Sequence, residues 1–367
     1  MSSTSCTQLL QTLIAHRTTN PGGDEAALCA FLAERMDSLG ADSVDYEEAT
    51  RACDEPGAYM FARFGQPRWL VNVHVDTVPV NAGWTRDPFR GEIDGDRLYG
   101  LGSADTKGAA AALLTAIEKV KPKDLAVLLS GDEEAGSHVL SEFLAGGRHH
   151  GLEYAIVCEP TKRRAGVRHR GIGGYRAELR GRGGHSSQAD HMAKPVVTLA
   201  RVAVGLDELG RDYLQRGPQD MKGLCMNVAM LEGGVAFNVI PEHTSLSWSV
   251  RPPPGWDETE FHDRQQRAIQ AIDPNIELST RLSHSPFATR DPQPFRDMLG
   301  GHATDFGPLQ FWTEAAMLSA AGIDAVVIGP GNIEQAHAAD EYVALADLDW
   351  ATDMFEHVIA RLNDASA

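Results

Sequence analysis

The chain has 367 residues, 43% of them hydrophobic, and a formal net charge of −18. That length can bury a core large enough for two domains, and the negative charge argues against nucleic acid or an anionic membrane as a partner, since phosphate would repel it. Five cysteines (Cys6, Cys29, Cys53, Cys158, Cys225) are odd in number and form no CxxC pair, which supports neither a disulfide framework nor a thiolate zinc knuckle and suits a reducing compartment.

At the start of the chain, Met1-Ser2-Ser3-Thr4-Ser5 carries no basic region followed by an apolar run, and no later stretch is long enough to span a bilayer. A cytoplasmic protein is therefore expected. Residues 5–17 and 25–39 have the spacing of amphipathic helices, separated by the breaker Asn20-Pro21-Gly22-Gly23. Strand and loop follow over 44–64. Trp69 to His74 reads as a buried strand, and Lys107 to Val120 as a helix rich in Ala and Leu. A second apolar strand, Leu125 to Leu129, runs into Gly131-Asp132-Glu133-Glu134. A helix ending at Leu144 comes next, then the strand Tyr154 to Val157, which runs into Cys158-Glu159-Pro160. Apolar runs alternating with helices predict an α/β fold whose sheet is covered on both faces.

After about Arg170 the rhythm changes. Residues 174–181 alternate like a half-exposed strand, 194–209 form a helix, and 224–231 and 244–250 two more strands. A charged amphipathic helix over 258–272 and a strand over 276–282 complete the ferredoxin-like, split βαβ order. Beyond 283 the first rhythm returns, with a helix near Phe295, a helix from Trp312 to Ala321, the strand Ala325 to Ile328, and a final helix from Leu345. The expected architecture is an α/β domain with a mixed sheet, residues 1–170 and 284–367, interrupted by an inserted α+β domain, residues 171–283.

Chemistry concentrates where strands end. His74 and Asp76 are two residues apart, a spacing that points both side chains to one face of a strand. Glu133-Glu134, Glu159 and His337 follow three other strands, and Asp105 lies in a Gly-flanked loop before a helix. In α/β sheets ligands bind beyond the carboxyl ends of strands. Singly, His74 could be a hydrogen-bonded structural histidine and Glu133-Glu134 a solvated surface pair. Together they supply two imidazoles and three carboxylates, a set suited to two zinc-like ions in N/O coordination. A bridging carboxylate holds two ions within about 4 Å, and Asp105 is the candidate bridge. Two divalent ions against Asp105, Glu134 and Glu159 leave a net positive charge. Glu133 is then free to act as general base.

These residues fall in five ordered motifs. They are His74-Val75-Asp76-Thr77-Val78-Pro79, Gly100-Leu101-Gly102-Ser103-Ala104-Asp105-Thr106-Lys107-Gly108, Asp132-Glu133-Glu134-Ala135-Gly136-Ser137, Glu159-Pro160-Thr161 and Ala336-His337-Ala338-Ala339-Asp340-Glu341-Tyr342. Through them the chain resembles, over nearly its whole length, the co-catalytic zinc metallopeptidase and deacylase family that includes acetylornithine deacetylase, succinyl-diaminopimelate desuccinylase, carboxypeptidase G and aminoacylase-1. The resemblance implies a zinc-exopeptidase-like catalytic domain and a lid and dimerisation domain. It implies one ion on His74, Asp105 and Glu159 and another on Asp105, Glu134 and His337, with Zn2+ the expected metal and Co2+ a substitute. By the same resemblance Asp76 orients the His74 ring, and the Asp105-Thr106 peptide is cis. His185, in Gly183-Gly184-His185-Ser186-Ser187, would bind the developing oxyanion in a partner subunit's site, which implies a homodimer. Asn238 and Arg251 match positions that hold the substrate carboxylate, and Thr313 lies in a segment that lines the pocket.

Within the family, residues 83–89, 312–315 and 329–333 resemble acetylornithine deacetylases, and Thr313-Glu314-Ala315-Ala316 stands where desuccinylases have a Thr-Ser-Asp-Gly type segment. Asn238-Val239-Ile240-Pro241 departs from the Asn-Arg-Ile-Cys of the bacterial acetylornithine enzymes, and residues 311–315 also resemble an acetylcitrulline deacetylase. The resemblance therefore implies removal of acetate from N-acetylornithine, a step of arginine biosynthesis. N-acetylcitrulline, succinyl-diaminopimelate, and other N-acyl amino acids or dipeptides are the alternatives. Other classes fit less well. Gly100-Leu101-Gly102-Ser103-Ala104-Asp105 lacks the third glycine of a dinucleotide loop, and there is no GxSxG nucleophile elbow. A metal-binding sensor of the same fold would have no need of Glu133.

Overall fold

The computed structural model describes residues 5–365, so Met1-Ser2-Ser3-Thr4, read above for a targeting signal, lies outside the described residues. Among those described, no helix is long and apolar enough to cross a membrane. The chain forms two compact units. One comprises the residues up to Arg168, Ala288–Leu309 and the chain from Thr313 onward; the other is His169–Phe287 with Gln310–Trp312.

The first unit is built on a mixed sheet. Its central strands are Leu125–Ser130, Trp69–His74, Tyr154–Val157 and Asp324–Val327, all parallel to one another. The hairpin Ser43–Thr50 and Pro56–Phe64 extends one side antiparallel to Leu125–Ser130, and Ala165–His169 follows Asp324–Val327 on the other. The central strands are apolar along most of their length because both faces are covered. On one face Met60, Ala62 and Phe64 join a cluster with the helices Cys6–Ala15, Glu25–Ser38, Lys107–Val120 and Leu345–Ala365. On the other, Phe143 of the helix His138–Ala145 meets Tyr59 and Phe61 edge-on at 5.4 and 5.0 Å. Truncating a fully buried member such as Leu113 to alanine would cost about 2–5 kcal/mol.

Local chemistry sets the helix starts. Ser5 and Gln8 form a reciprocal capping box on the first helix. The Asp24 carboxylate accepts the Ala27 amide on the second.

The second unit has a four-stranded antiparallel sheet in the order Asn227–Gly233, His243–Val250, Ile172–Arg180, Glu277–His284. Helices Pro195–Arg211 and Glu258–Gln270 intervene in sequence, completing the ferredoxin-like arrangement. Its own core contains Tyr175, Trp248, Phe261, Leu199 and Leu206. Two separate cores are the physical reason the chain forms two units.

Two features differ from what the sequence predicts. The short strands Glu92–Asp94, Arg97–Tyr99 and Tyr342–Ala344 form a small sheet of their own, and at three residues each they carry too little periodicity to be read. The helix expected from Trp312 starts instead at Ala315. Trp312 belongs to the second unit, where its ring lies 4.5 Å from that of His284 and 6.3 Å from that of His169.

Candidate metal centre

His74 ends a strand flanked on both sides by parallel neighbours, so the residues following the three strands gather on one side. Asp76 lies just past the first strand, Glu133 and Glu134 in a tight 3-10 turn after the second, and Glu159 two residues past the third. Asp105 arrives on the loop before the helix Lys107–Val120. Gly102 there has φ +80°, and a Cβ on it would lie 2.7 Å from Thr77 Cγ2, so both the conformation and the space require glycine. The Asp105-Thr106 peptide is cis, and Thr106 Oγ1 donates to the His74 carbonyl at 2.6 Å. His337 sits at φ +58°, a conformation few L-residues adopt. Its carbonyl accepts from Asn81 at 2.9 Å. Nearby, Asp340 accepts from the Thr85 amide at 2.8 Å and hydroxyl at 2.6 Å, which ties the Gly83–Phe89 motif to the His337 loop.

Two donor groups result. Ligand atoms of His74, Asp105 and Glu159 lie within 4.8 Å of one another, and so do those of Asp105, Glu134 and His337. His74 Nε2 is 3.0 Å from Asp105 Oδ1 and 4.0 Å from Glu159 Oε1. On the other side, His337 Nε2 is 3.4 Å from Asp105 Oδ2 and 3.0 Å from Glu134 Oε2. The two oxygens of Asp105 thus face different histidines, the disposition a bridging carboxylate needs. Nitrogen and carboxylate donors, with no thiolate among them, fit a pair of divalent ions of the zinc type.

The electrostatics agree. Burial lifts the carboxyls of Glu133, Glu134 and Glu159, and crowding by neighbouring carboxylates adds to it. Asp105 goes the other way: burial opposes its charge, but hydrogen bonds to His337 and His74 hold it well below the usual carboxylate range. Hydrogen bonds to Asp105 and Glu134 push the His337 imidazole up to about 10. So many acids around two imidazoles is an arrangement that favours added positive charge.

Residues 70–361 match the family described as Peptidase family M20/M25/M40. The chain belongs to it. Enzymes of this family are metallohydrolases with a dinuclear metal centre. The chain is 31% identical to an N-acetyl-L-citrulline deacetylase of Xanthomonas campestris pv. campestris, over 95% of this chain and 96% of the relative. It is 32% identical to an acetylornithine deacetylase of Myxococcus xanthus over 75% of each. In fold it is similar to an M20 family metallo-carboxypeptidase from Sulfolobus solfataricus, with a TM-score of 0.77 at 18% identity, covering 97% of this chain and 98% of that one.

Other expected residues of this M20 protein have different surroundings. Asp76 faces His74, with Oδ1 3.4 Å from Nδ1, and its carboxylate accepts the Glu133 and Glu134 amides, each at 3.1 Å. Glu133 belongs to neither donor group. In the second unit, the pairing of His185 with Val239 and the bond from the Ser186 amide to the Asn238 carbonyl at 3.0 Å bring His185 and Asn238 together. Both are exposed, and His185 Nδ1 lies 2.9 Å from Ser187 Oγ. Arg251 follows Val250, which pairs with Gly173, whereas His185 lies beyond Arg180 at the far end of the same strand. From Gly173 to Arg180 that strand spans roughly 23 Å at 3.3 Å per residue. Arg251 is therefore not brought to His185 and Asn238 within this unit. Thr313 is buried, and its hydroxyl accepts the Ala315 amide at 3.3 Å at the start of a helix.

Among the buried acids of this M20 site, Glu341 and Glu314 carry no assignment from the sequence. Glu341 accepts the amides of Gly102, Ala104 and Asp105 at 3.0, 2.9 and 3.1 Å, which shapes the loop that presents Asp105. Its position inside the last motif was the available signal. Glu314 accepts from Ser130 Oγ at 2.8 Å, on the strand residue that pairs with His74.

Proposed function

We propose that this protein is a dinuclear metal-dependent amidohydrolase that removes the acetyl group from an N-acetyl amino acid, N-acetylornithine first, in the service of arginine biosynthesis. N-acetylcitrulline is the second reading, favoured by the near full-length similarity to a deacetylase of that name. The observation that carries the proposal is the pair of donor groups sharing Asp105, with Glu133 beside them and outside both.

His74, Asp105 and Glu159 would hold one ion and Asp105, Glu134 and His337 the other, with Zn2+ the expected metal and Co2+ a substitute. Such ions supply Lewis acidity that polarises an acyl carbonyl and makes water acidic near neutral pH. Glu133 takes the proton from the attacking water and returns it to the departing amine nitrogen. Asp76 keeps His74 in one orientation through Nδ1. His185 donates to the developing oxyanion, Asn238 and Arg251 hold the substrate carboxylate, and Thr313 lines the pocket. The separation of Arg251 from His185 and Asn238 supports a homodimer, because one small substrate could not meet all three within a single copy. In that reading the second unit is a lid and dimerisation domain, and His185 and Asn238 serve the partner's site.

A single experiment decides among substrates. Metal-loaded protein is assayed with N-acetylornithine, N-acetylcitrulline, succinyl-diaminopimelate, other N-acyl amino acids and a few dipeptides, and the same sample is analysed for metal. Acetate release from the first two with two ions bound is expected. Two ions bound and no hydrolysis of any would replace the proposal with a metal-binding sensor.

A further inference from the structure

We infer that Asn20 is a positioning residue of the metal centre: its carboxamide clamps two buried aspartates and, through one of them, fixes the backbone of Glu133 and Glu134. The inference rests on reading Glu133 as the proton carrier and Glu134 as a ligand.

Asn20 Nδ2 lies 3.1 Å from Asp76 Oδ2 and 3.0 Å from Asp132 Oδ1. Asn20 is 4% exposed and both aspartates 0%. Two carboxylates at one amide can only be served by its NH2 end, which sets the orientation of the side chain. The remaining Oδ1 accepts a weak bond from the Cys53 thiol at 3.8 Å. Each aspartate then organises backbone. Asp76 accepts the amides of Glu133 and Glu134, at 3.1 Å each, and faces His74. Asp132 Oδ2 accepts the amides of Ala52 at 3.0 Å and His138 at 2.9 Å. The turn that carries Glu133 and Glu134 is thus held from both ends by carboxylates that meet at Asn20.

Asn20 is itself firmly placed. Thr18 Oγ1 donates to the Val75 carbonyl at 2.6 Å, the Thr77 amide to Thr18 O at 2.9 Å, and the Asn20 amide to Thr77 O at 2.8 Å. Residues 18–20 therefore run as a short parallel extension beside 75–77, with a bridge between Thr19 and Thr77. A neutral double donor bonded to both carboxylates holds Asp76 and Asp132 side by side at close range. With the donor gone, Asp76 is free to turn away from Asp132, and the two amides it accepts move with it. Small displacements of a reacting group cost large factors in rate.

The test uses the full chain with Asn20→Ala and the gentler Asn20→Ser, which keeps a small polar side chain if the alanine variant does not fold. Three quantities are read: kcat and KM on the acetylated substrate, zinc affinity by chelator competition, and hydrogen exchange in metal-free protein over residues 131–137. A positioning role predicts a 10- to 100-fold loss in kcat with KM within about threefold. It also predicts weaker zinc binding and faster exchange in 131–137 while strands 69–74 and 125–130 keep their protection. Cys53→Ala, which removes only the thiol contact, should match the parent. Parental kcat, zinc affinity and exchange in Asn20→Ser would overturn the inference. So would exchange that quickens uniformly across the sheet while kcat holds, the mark of a structural role alone. If the parent cleaves no N-acyl amino acid, the functional reading falls, and the zinc and exchange readouts still judge Asn20.

Discussion

The two units of this protein treat their polar residues in opposite ways. In the first, His74, Asp76, Asp105 and Glu159 are buried, and each is held by groups from other elements. In the second, His185, Asn238 and Arg251 are exposed, and among the described residues the side-chain bonds of His185 reach only to Ser187. Burying a charge is costly unless it is paired, so each of these buried side chains needs bonding partners supplied by the fold. Exposed side chains carry no such obligation. They can serve a ligand, a second copy, or nothing, and their roles must come from what meets them.

Asp105→Ala removes the carboxylate common to both donor groups, and metal content should fall from two equivalents toward none, with loss of turnover. Retention of both ions by elemental analysis would end the bridging role. Glu133→Ala should cost kcat a factor of roughly 10² to 10⁴ while two ions remain bound; a variant with parental turnover would clear Glu133 of proton transfer.

His185→Ala probes the exposed side. A loss of roughly 10² to 10³ in kcat, the scale of a single oxyanion donor, is expected with metal affinity unchanged. Metal loss in this variant would contradict the division of labour between the units.

The smallest effect concerns stability. Burial, against the hydrogen bond from Ser130, raises the Glu314 carboxyl from its ordinary 4.5 to about 7. A folded-state value above the unfolded one means that stability present below pH 4.5 is lost as pH rises toward 7. Between those two values the loss is at most about 1.4 kcal/mol for each step of one in pH. Glu314→Gln should flatten this part of the profile in urea unfolding at a series of pH values. A variant whose stability falls in parallel with the parent would show that Glu314 is ionised throughout.

Much of this was readable from the chain alone. The strands Trp69–His74 and Tyr154–Val157 and the helix Lys107–Val120 were visible as apolar runs between breakers, because covered strands and amphipathic helices leave direct marks in sequence. The acids and histidines at strand ends were visible for the same reason. Glu341 and Asn20 were not assigned a role. Each acts through hydrogen bonds to residues far along the chain, Glu341 to Asp105 across 236 positions and Asn20 to Asp132 across 112. No local pattern records such a contact. Trp312 likewise read as helix, since only the rings of His284 and His169 reveal why it belongs with the other unit.

Which residue types follow which apolar runs is legible along the chain, and with it the α/β fold class. Periodicity and residue chemistry are local properties, and they are written along the chain. Packing alone turns one oxygen of Asp105 to His74 and the other to His337, and sets Arg251 and His185 at opposite ends of two paired strands. Those relations depend on sheet order, register and the direction each loop returns, which are settled when distant segments pack.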